Sequence, residues 1–171
     1  EWPVANSDYS PELNAHLKGK LAEYGLAKLI VPKEFGGQGL GPMEDVIVLA
    51  EFSKSPRRMP GGPFAPWPVL YQAPEKIREK YLYPVLEGKT GWSMCFTEPE
   101  AGSDLAGIRT TAVREGDHWV LNGTKMWRTG HHFASYTAVA AVTDPSKGPK
   151  GISVFLVDND TPGFTKSRDI P

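Results

Sequence analysis

The chain has 171 residues, 40% hydrophobic and 23% charged, enough apolar material for one core or two small ones and too much for a disordered chain. Its 19 basic and 20 acidic residues leave a net charge of -1 with no long run of one sign, which argues against partners chosen by bulk charge, nucleic acid and anionic membrane among them. A single cysteine, Cys95, excludes an internal disulfide framework and fits a reducing, cytoplasmic setting, while apolar runs such as Ala138 to Val142 are far too short to span a bilayer.

The opening residues "EWPVANSDYSPE" carry neither a basic nor an apolar signal-peptide region. Ser10 and Pro11 then suit the N-cap and first position of a helix whose Leu13, Leu17 and Leu21 recur every four residues. "GPMEDVIVLAEFSKS" predicts a second helix, with Pro42 at its start, Glu44 and Asp45 in its first turn, and Val46, Ile47, Leu49 and Ala50 along one side. Between it and the next helix, prolines 60, 63, 66, 68 and 74 predict an irregular aromatic connection. A third helix runs from Pro74 to a stop at Gly88, with Pro84 as a kink or early end.

Near Gly88 to Gly91 the pattern changes from helical to period two. "IRTTAVRE" alternates, "DHWVLNGTKMWRT" places Asn122 and Gly123 between two strand-like arms, and "YTAVAAV" and "GISVFLVDN" complete a domain of hairpins. Helices first and strands afterwards predict segregated α and β layers, an α+β class, rather than alternating βαβ units.

Several motifs that suggest chemistry read better as structure. "FGGQGLGP" has a glycine pattern but no βαβ frame, so it is expected to be a connector between helices. His131 and His132 are adjacent, point to opposite faces of an extended chain and lack a third ligand, so no metal site is expected. Cys95 has no histidine nearby in sequence and reads as a buried small hydrophobe. "CFTEPEAGSDLAG", Cys95 to Gly107, is different: Pro99, Gly102 and Gly107 allow the backbone to fold back, and Thr97 and Ser103 supply hydroxyls. Its exposed amides suit a phosphate or the edge of a heterocycle. Equally, Glu98, Ser103 and Asp104 could simply satisfy turn amides, and on the residues alone both readings stand.

"TEPEAGSDLAG", Thr97 to Gly107, followed by "LNGTKMWRTG", Leu121 to Gly130, resembles the paired flavin-binding signature of the acyl-CoA dehydrogenase family. "GLAKLIVPKEFGGQGLGPMEDVIVLAEFSKS", "EKIREKYLYPVLEGKTGW" and "GISVFLVDNDTPGF" continue the likeness in the same order over most of the chain. The resemblance implies an N-terminal α-helical domain over 1–90 and an antiparallel, β-barrel-like flavin-binding domain over 91–171, with the family's C-terminal helical bundle absent.

It also implies FAD as cofactor. Thr97 and the backbone around Phe96 would contact the pyrimidine edge, Ser103 the pyrophosphate, Trp127 the isoalloxazine face, and Thr129 the neighbourhood of N5; Met94 and Gly102 complete the cofactor-binding set. Glu98 and Asp104 are assigned to loop stabilisation. The implied reaction is α,β-dehydrogenation of an acyl-CoA thioester, with electrons passed to an electron-transferring flavoprotein. An acyl-CoA oxidase or related flavin monooxygenase using oxygen, and a non-catalytic subunit completing a partner's site, are the alternatives. The family's base is a glutamate of the C-terminal domain, so no catalytic residue is carried over, and the chain reads as a truncated portion, inactive alone. It would work as a homo-oligomer or partner subunit in the cytoplasm, or in the mitochondrial matrix if eukaryotic. Departures from the family pattern are Met94, Arg128 where an aliphatic residue is usual, "GHHF" after the second motif, and the proline-rich "PGGPFAPWP".

Overall fold

A computed structural model describes residues 11–54, 66–129 and 134–166. The expectations resting on Ser10, on the first half of the proline-rich connection, on His131 and His132 and on the last residues lie outside these. The chain forms two compact units, Glu1–Pro74 and Glu75–Pro171.

In the first unit, α1 (Pro11–Glu23) buries Leu21. The chain then turns at Gly25, whose φ of 70° lies in the left-handed region that glycine adopts without penalty. The glycine-rich connector is held by main-chain hydrogen bonds: the Gly39 amide donates to the Val31 carbonyl at 2.8 Å, and the Leu40 amide to Leu29 at 2.9 Å. Gly37 passes so close to Val31 that a Cβ would stand 2.0 Å from its carbonyl oxygen. These glycines serve chain packing, as the sequence predicts for a connector. At the start of α2 (Pro42–Ser53), the Glu44 carboxylate accepts the Gly41 amide at 3.0 Å, satisfying one of the helix's orphan donors. The apolar side of α2 is largely open, with Met43, Val46 and Ile47 all exposed. Elsewhere in this unit Leu29, Val31 and Leu70 are buried, and the rings of Phe35 and Tyr71 meet at 5.0 Å.

The second unit begins with α3 (Glu75–Ile77), which continues through a π-helical turn (Arg78–Leu82) into α4 (Tyr83–Leu86). Pro84 is accommodated rather than breaking the helix. It has no amide to donate, and the wide turn before it, in which Tyr83 N–H reaches back to the Arg78 carbonyl, is where such a ring can be absorbed. The Tyr136 hydroxyl donates to the Tyr81 carbonyl at 3.1 Å, and the two rings meet edge to face at 4.7 Å. This helical stretch therefore packs on the sheet.

The sheet comprises β1 (Gly91–Cys95), β2 (Thr111–Glu115), β3 (His118–Asn122), β4 (Ala134–Val142) and β5 (Ile152–Asp158). Its centre is β4, buried from Tyr136 to Ala141. β5 lies antiparallel on β4, while β1 runs parallel to it with Ser93 opposite Thr137 and Cys95 opposite Val139. β2 joins β4 only at Thr111 and Val142. The α+β class and the order of helices before strands hold. Two details are corrected: the sheet is mixed rather than antiparallel, and among the described residues it is open rather than closed as a barrel.

The hairpin turn is also corrected. It falls at Gly116–Asp117, between the paired Glu115 and His118, and not at Asn122–Gly123. Gly116 takes a φ of 63° at the first turn position, as a two-residue hairpin requires. Gly123 instead marks where the chain leaves β3 against Thr110; a Cβ there would lie 2.2 Å from Thr110 Oγ1 and 2.8 Å from its Cα.

Candidate functional site

The loop after β1 starts with a tight turn. The Glu98 amide donates to the Ala101 carbonyl at 2.8 Å, and the Ala101 amide to the Glu98 carbonyl at 3.2 Å, around Pro99 at the position where its fixed φ is favourable. Behind this turn Ala101 and Ile108 are buried with Ala140, and Phe96 packs against the group. The backbone of the loop is thus fixed from beneath, leaving Gly102 and Ser103 exposed.

The Glu98 side chain turns inward and is only 6% exposed. It accepts the amides of Arg109 at 2.6 Å and Thr110 at 2.9 Å, the Thr110 hydroxyl at 2.5 Å and the Lys125 ammonium at 2.7 Å. Burial opposes ionisation, but the hydrogen bonds from Lys125, Thr110 and the two amides outweigh it and hold the carboxyl at about 2. The loop-stabilising role expected of Glu98 is what the geometry provides. Asp104 contributes through its backbone, its carbonyl accepting the Gly107 amide at 3.1 Å.

Lys125 belongs to the second motif, and with it the two motifs are fastened together. Its ammonium also donates to the Phe96 carbonyl at 3.2 Å. The Met126 amide donates to the Thr97 carbonyl at 2.9 Å, and Arg128 Nε to Ser93 Oγ at 2.7 Å. Residues 125 to 128 therefore run back along the end of β1, with contacts in reverse chain order. Trp127, between two anchored neighbours, takes a φ of 57°, the one positive value at a non-glycine among the described residues, and its indole is 64% exposed. A bulky residue held in this conformation costs ~1–3 kcal/mol and persists only where its surroundings impose it.

Arg128 lies on the inner side of β1. Its guanidinium sits 5.3 Å from the ring centre of Phe164, and Nη2 is buried with no hydrogen-bond partner. Burial pushes its pKa down. From Ser93 the polar contacts continue through the Thr137 hydroxyl at 2.9 Å to Asn159 Oδ1 at 2.8 Å, and Asn159 Nδ2 donates to the Ala134 carbonyl at 2.6 Å. The contacts run from β1 across β4 to the residue that follows β5. Cys95 is buried beside Ser93 on the same face, and burial raises its thiol.

Of the expected site residues, Met94 is exposed on the face of β1 opposite Ser93 and Cys95; Phe96 and Thr97 are half-buried; Gly102, Ser103, Trp127 and Thr129 are exposed. Backbone hydrogen bonding brings Phe96 and Thr97 against Lys125 and Met126, and hence Trp127 beside them. No hydrogen bond joins Ser103 or Thr129 to this group. The hydroxyls of Thr97, Ser103 and Thr129 make no hydrogen bond among the described residues, whereas those of Ser93, Thr110 and Thr137 are committed to protein partners. Uncommitted hydroxyls and an exposed indole are groups of the kind a planar, polar-edged ligand uses. Lys125 and Ser93 are not among the residues the sequence points to; the signal for Lys125 is a charge in the second motif opposite to that of Glu98 in the first. No group of three or more His, Cys, Asp and Glu among the described residues could hold a metal ion, and no described helix is long and apolar enough to cross a membrane.

A helical portion followed by a β domain whose first loop is buttoned to the segment after its hairpin defines a two-part α+β protein. Its relationships are specific. The acyl-CoA dehydrogenase N-terminal domain matches residues 3–89 and the middle domain residues 93–171, so the chain belongs to the acyl-CoA dehydrogenase family. The acyl-CoA dehydrogenase FadE29 of Mycobacterium tuberculosis is 42% identical over 137 residues, covering 78% of this chain and 35% of that protein. The caffeyl-CoA reductase-Etf complex subunit CarC of Acetobacterium woodii is 36% identical over 170 residues, 94% of this chain and 44% of that one. Among solved structures, an acyl-CoA dehydrogenase from Geobacillus kaustophilus aligns with a TM-score of 0.74 and 32% identity, over 92% of this chain and 43% of that one. The FAD complex of PigA aligns with a TM-score of 0.74 and 30% identity, over 94% and 43%. The chain spans less than half the length of each.

Proposed function

We propose that this chain carries the flavin-binding part of an FAD-dependent oxidoreductase that removes hydrogen from the α and β carbons of an acyl-CoA thioester and passes the electrons to an electron-transferring flavoprotein. The observation that carries this reading is the Met126 amide bonded to the Thr97 carbonyl at 2.9 Å, with Lys125 bridging to Glu98, which unites both halves of the resemblance in one place. FAD fits the uncommitted hydroxyls and exposed indole described above, and its binding by the structural neighbour PigA supports the assignment. The division into domains 1–90 and 91–171 belongs to the same reading; the family matches over 3–89 and 93–171 support it, whereas the compact units of the structure divide at Pro74, with the helical stretch from Glu75 packed on the sheet.

When bound, FAD supplies hydride acceptance from the β-carbon. Thr97 and the backbone at Phe96 would offer hydrogen bonds to the pyrimidine edge, Ser103 and the amides near Gly102 to the pyrophosphate, and Thr129 a donor near N5. Trp127 would pack on the ring and exclude water, and Met94 would add apolar contact. Removal of the α-proton requires a base, and none of the site residues above is in that role. A second reading, favoured by the naming of CarC as a caffeyl-CoA reductase subunit, runs the same hydride exchange toward reduction of an enoyl thioester.

Anaerobic titration of the FAD-loaded protein, together with whatever chain supplies the base, tests the proposal. Saturated acyl-CoA should bleach the flavin, and added electron-transferring flavoprotein should restore its colour. Bleaching only by an external reductant, followed by recovery on adding an enoyl-CoA, supports the second reading. Failure to retain flavin would remove both.

A further inference from the structure

The unusual backbone of Trp127 is not explained by its own side chain. An indole 64% exposed contributes little packing that could hold its backbone at a φ of 57°. The constraint comes from its neighbours. On one side the Met126 amide is fixed to Thr97, and on the other the Arg128 side chain is fixed to Ser93 and rests on Phe164. Both anchors lead to β1 or its continuation, so the chain between them must turn with the indole outward.

Arg128 is a costly way to make the second anchor. Its Nη2 is buried and unpartnered, and no carboxylate among the described residues pairs with the charge. An aliphatic side chain would avoid that desolvation cost but could not hold Ser93. Ser93 is itself fixed by Thr137 on β4, which is bonded to Asn159 just after β5, so the anchor is tied to more than one rotamer. We propose that Arg128 is a positioning residue that imposes the left-handed conformation of Trp127 through Ser93 and thereby aims the indole at the flavin. The part concerning flavin rests on the function proposed above; the part concerning Trp127 does not.

Two readouts separate these parts. The protein, without flavin, is labelled with 5-fluorotryptophan, and the Trp127 resonance is assigned by its loss in Trp127→Phe. In Arg128→Leu that resonance should shift and broaden or split as the backbone samples other conformations, while the resonance of Trp119, distant in the hairpin, stays put. Ser93→Ala should reproduce the change, and Arg128→Lys should not restore the native line, because a lysine lacks the planar group that both donates to Ser93 and stacks on Phe164. A Trp127 line unchanged by Arg128→Leu, in protein whose other tryptophan lines are native, overturns the proposal whatever the ligand.

FAD affinity then supplies the second readout. Arg128→Leu should weaken it on the order of tenfold, the scale of one charge-assisted hydrogen bond. In a Trp127→Gly background, where the backbone is free and the ring is gone, the same substitution should have no further effect. An equal loss in both backgrounds would show that Arg128 acts other than through Trp127. If Trp127→Gly leaves FAD affinity untouched, the flavin assignment at Trp127 falls and the fluorine signature alone judges Arg128.

Discussion

The ammonium of Lys125 lies 2.7 Å from the carboxylate of Glu98, and both side chains are nearly sealed from solvent, at 10% and 5% exposure. This ion pair joins two loops separated by 27 positions in the chain. Removing one partner leaves the other charge buried, which costs far more than a surface pair is worth. Lys125→Met should therefore destabilise the folded protein by about 3–5 kcal/mol and lower Tm on the order of 10 °C. A thermal melt by circular dichroism measures it; a change under about a degree would contradict the buried-pair geometry.

The same carboxylate predicts a pH dependence. Glu98 ionises at about 2 in the folded protein against an ordinary 4.5. A carboxyl that is harder to protonate when folded stabilises the fold fully above its unfolded value, and that contribution fades as pH falls through the interval down to the folded one. Stability of the parent protein should decline from about pH 5 to pH 2 more steeply than that of Glu98→Gln, which has no proton to take up there. Urea midpoints across the range give the comparison, and parallel curves would count against the ionised state.

These contacts mark the limit of what local sequence can reveal. The start of α2 is legible because Pro42 and Glu44 act within one turn of each other. The hairpin is harder: Asn122–Gly123 is a strong turn dipeptide, but the chain uses that glycine for a close approach to Thr110, and the less conspicuous Gly116–Asp117 makes the turn. Glu98 could be assigned to its loop because two of its donors are the nearby amides of Arg109 and Thr110. The bond from Arg128 to Ser93 spans 35 positions, and Ser93 itself stands on a strand paired in parallel with β4, neither of which a short-range pattern encodes. The expected site residues follow from family resemblance, whereas the residues that brace them follow only from tertiary geometry.

Two glycines should behave oppositely. Gly123→Ala places a Cβ 2.2 Å from Thr110 Oγ1 and 2.8 Å from the Thr110 backbone, so either strand or loop must move. The cost should be roughly 1–3 kcal/mol, the range of overpacked substitutions. Gly102→Ala meets nothing within 4 Å, and should change the stability of the flavin-free protein by less than about 0.5 kcal/mol. Any loss of FAD binding in Gly102→Ala then reports a ligand's close approach to the loop. Equal melting temperatures for the two variants would refute the placement of Gly123.

Trp127→Ala and Ser103→Ala remove an exposed ring and an exposed, uncommitted hydroxyl. Neither should lower the stability of the flavin-free protein by more than a few tenths of a kcal/mol, the usual range for surface positions. Both should weaken FAD retention, Trp127→Ala by roughly tenfold from lost ring contact. His131→Ala should do so much less. Gel filtration followed by the ratio of flavin to protein absorbance is the measurement, and three indistinguishable retentions would count against this set of contacts.

A polypeptide spanning Glu1 to Pro171, even when saturated with FAD, should not oxidise acyl-CoA at a useful rate. Hydride leaves the β-carbon readily only as the α-proton is removed, and the site contains no residue assigned as its base. Glu98, the carboxylate whose geometry is best defined here, is unsuited to that role. It is buried and held ionised at about 2 by four donors, which makes it a weak proton acceptor turned away from solvent. Cys95 is buried with a raised thiol, and the Lys125 ammonium is committed to Glu98 and the Phe96 carbonyl. A positioned general base contributes ~10² to 10⁴-fold, and lost substrate alignment and water exclusion would lower the rate further. The assay mixes this polypeptide with acyl-CoAs of short, medium and long chain and follows anaerobic bleaching of the flavin absorbance. Rapid bleaching by any of them, with no other protein present, would place the base within Glu1 to Pro171 and overturn this prediction.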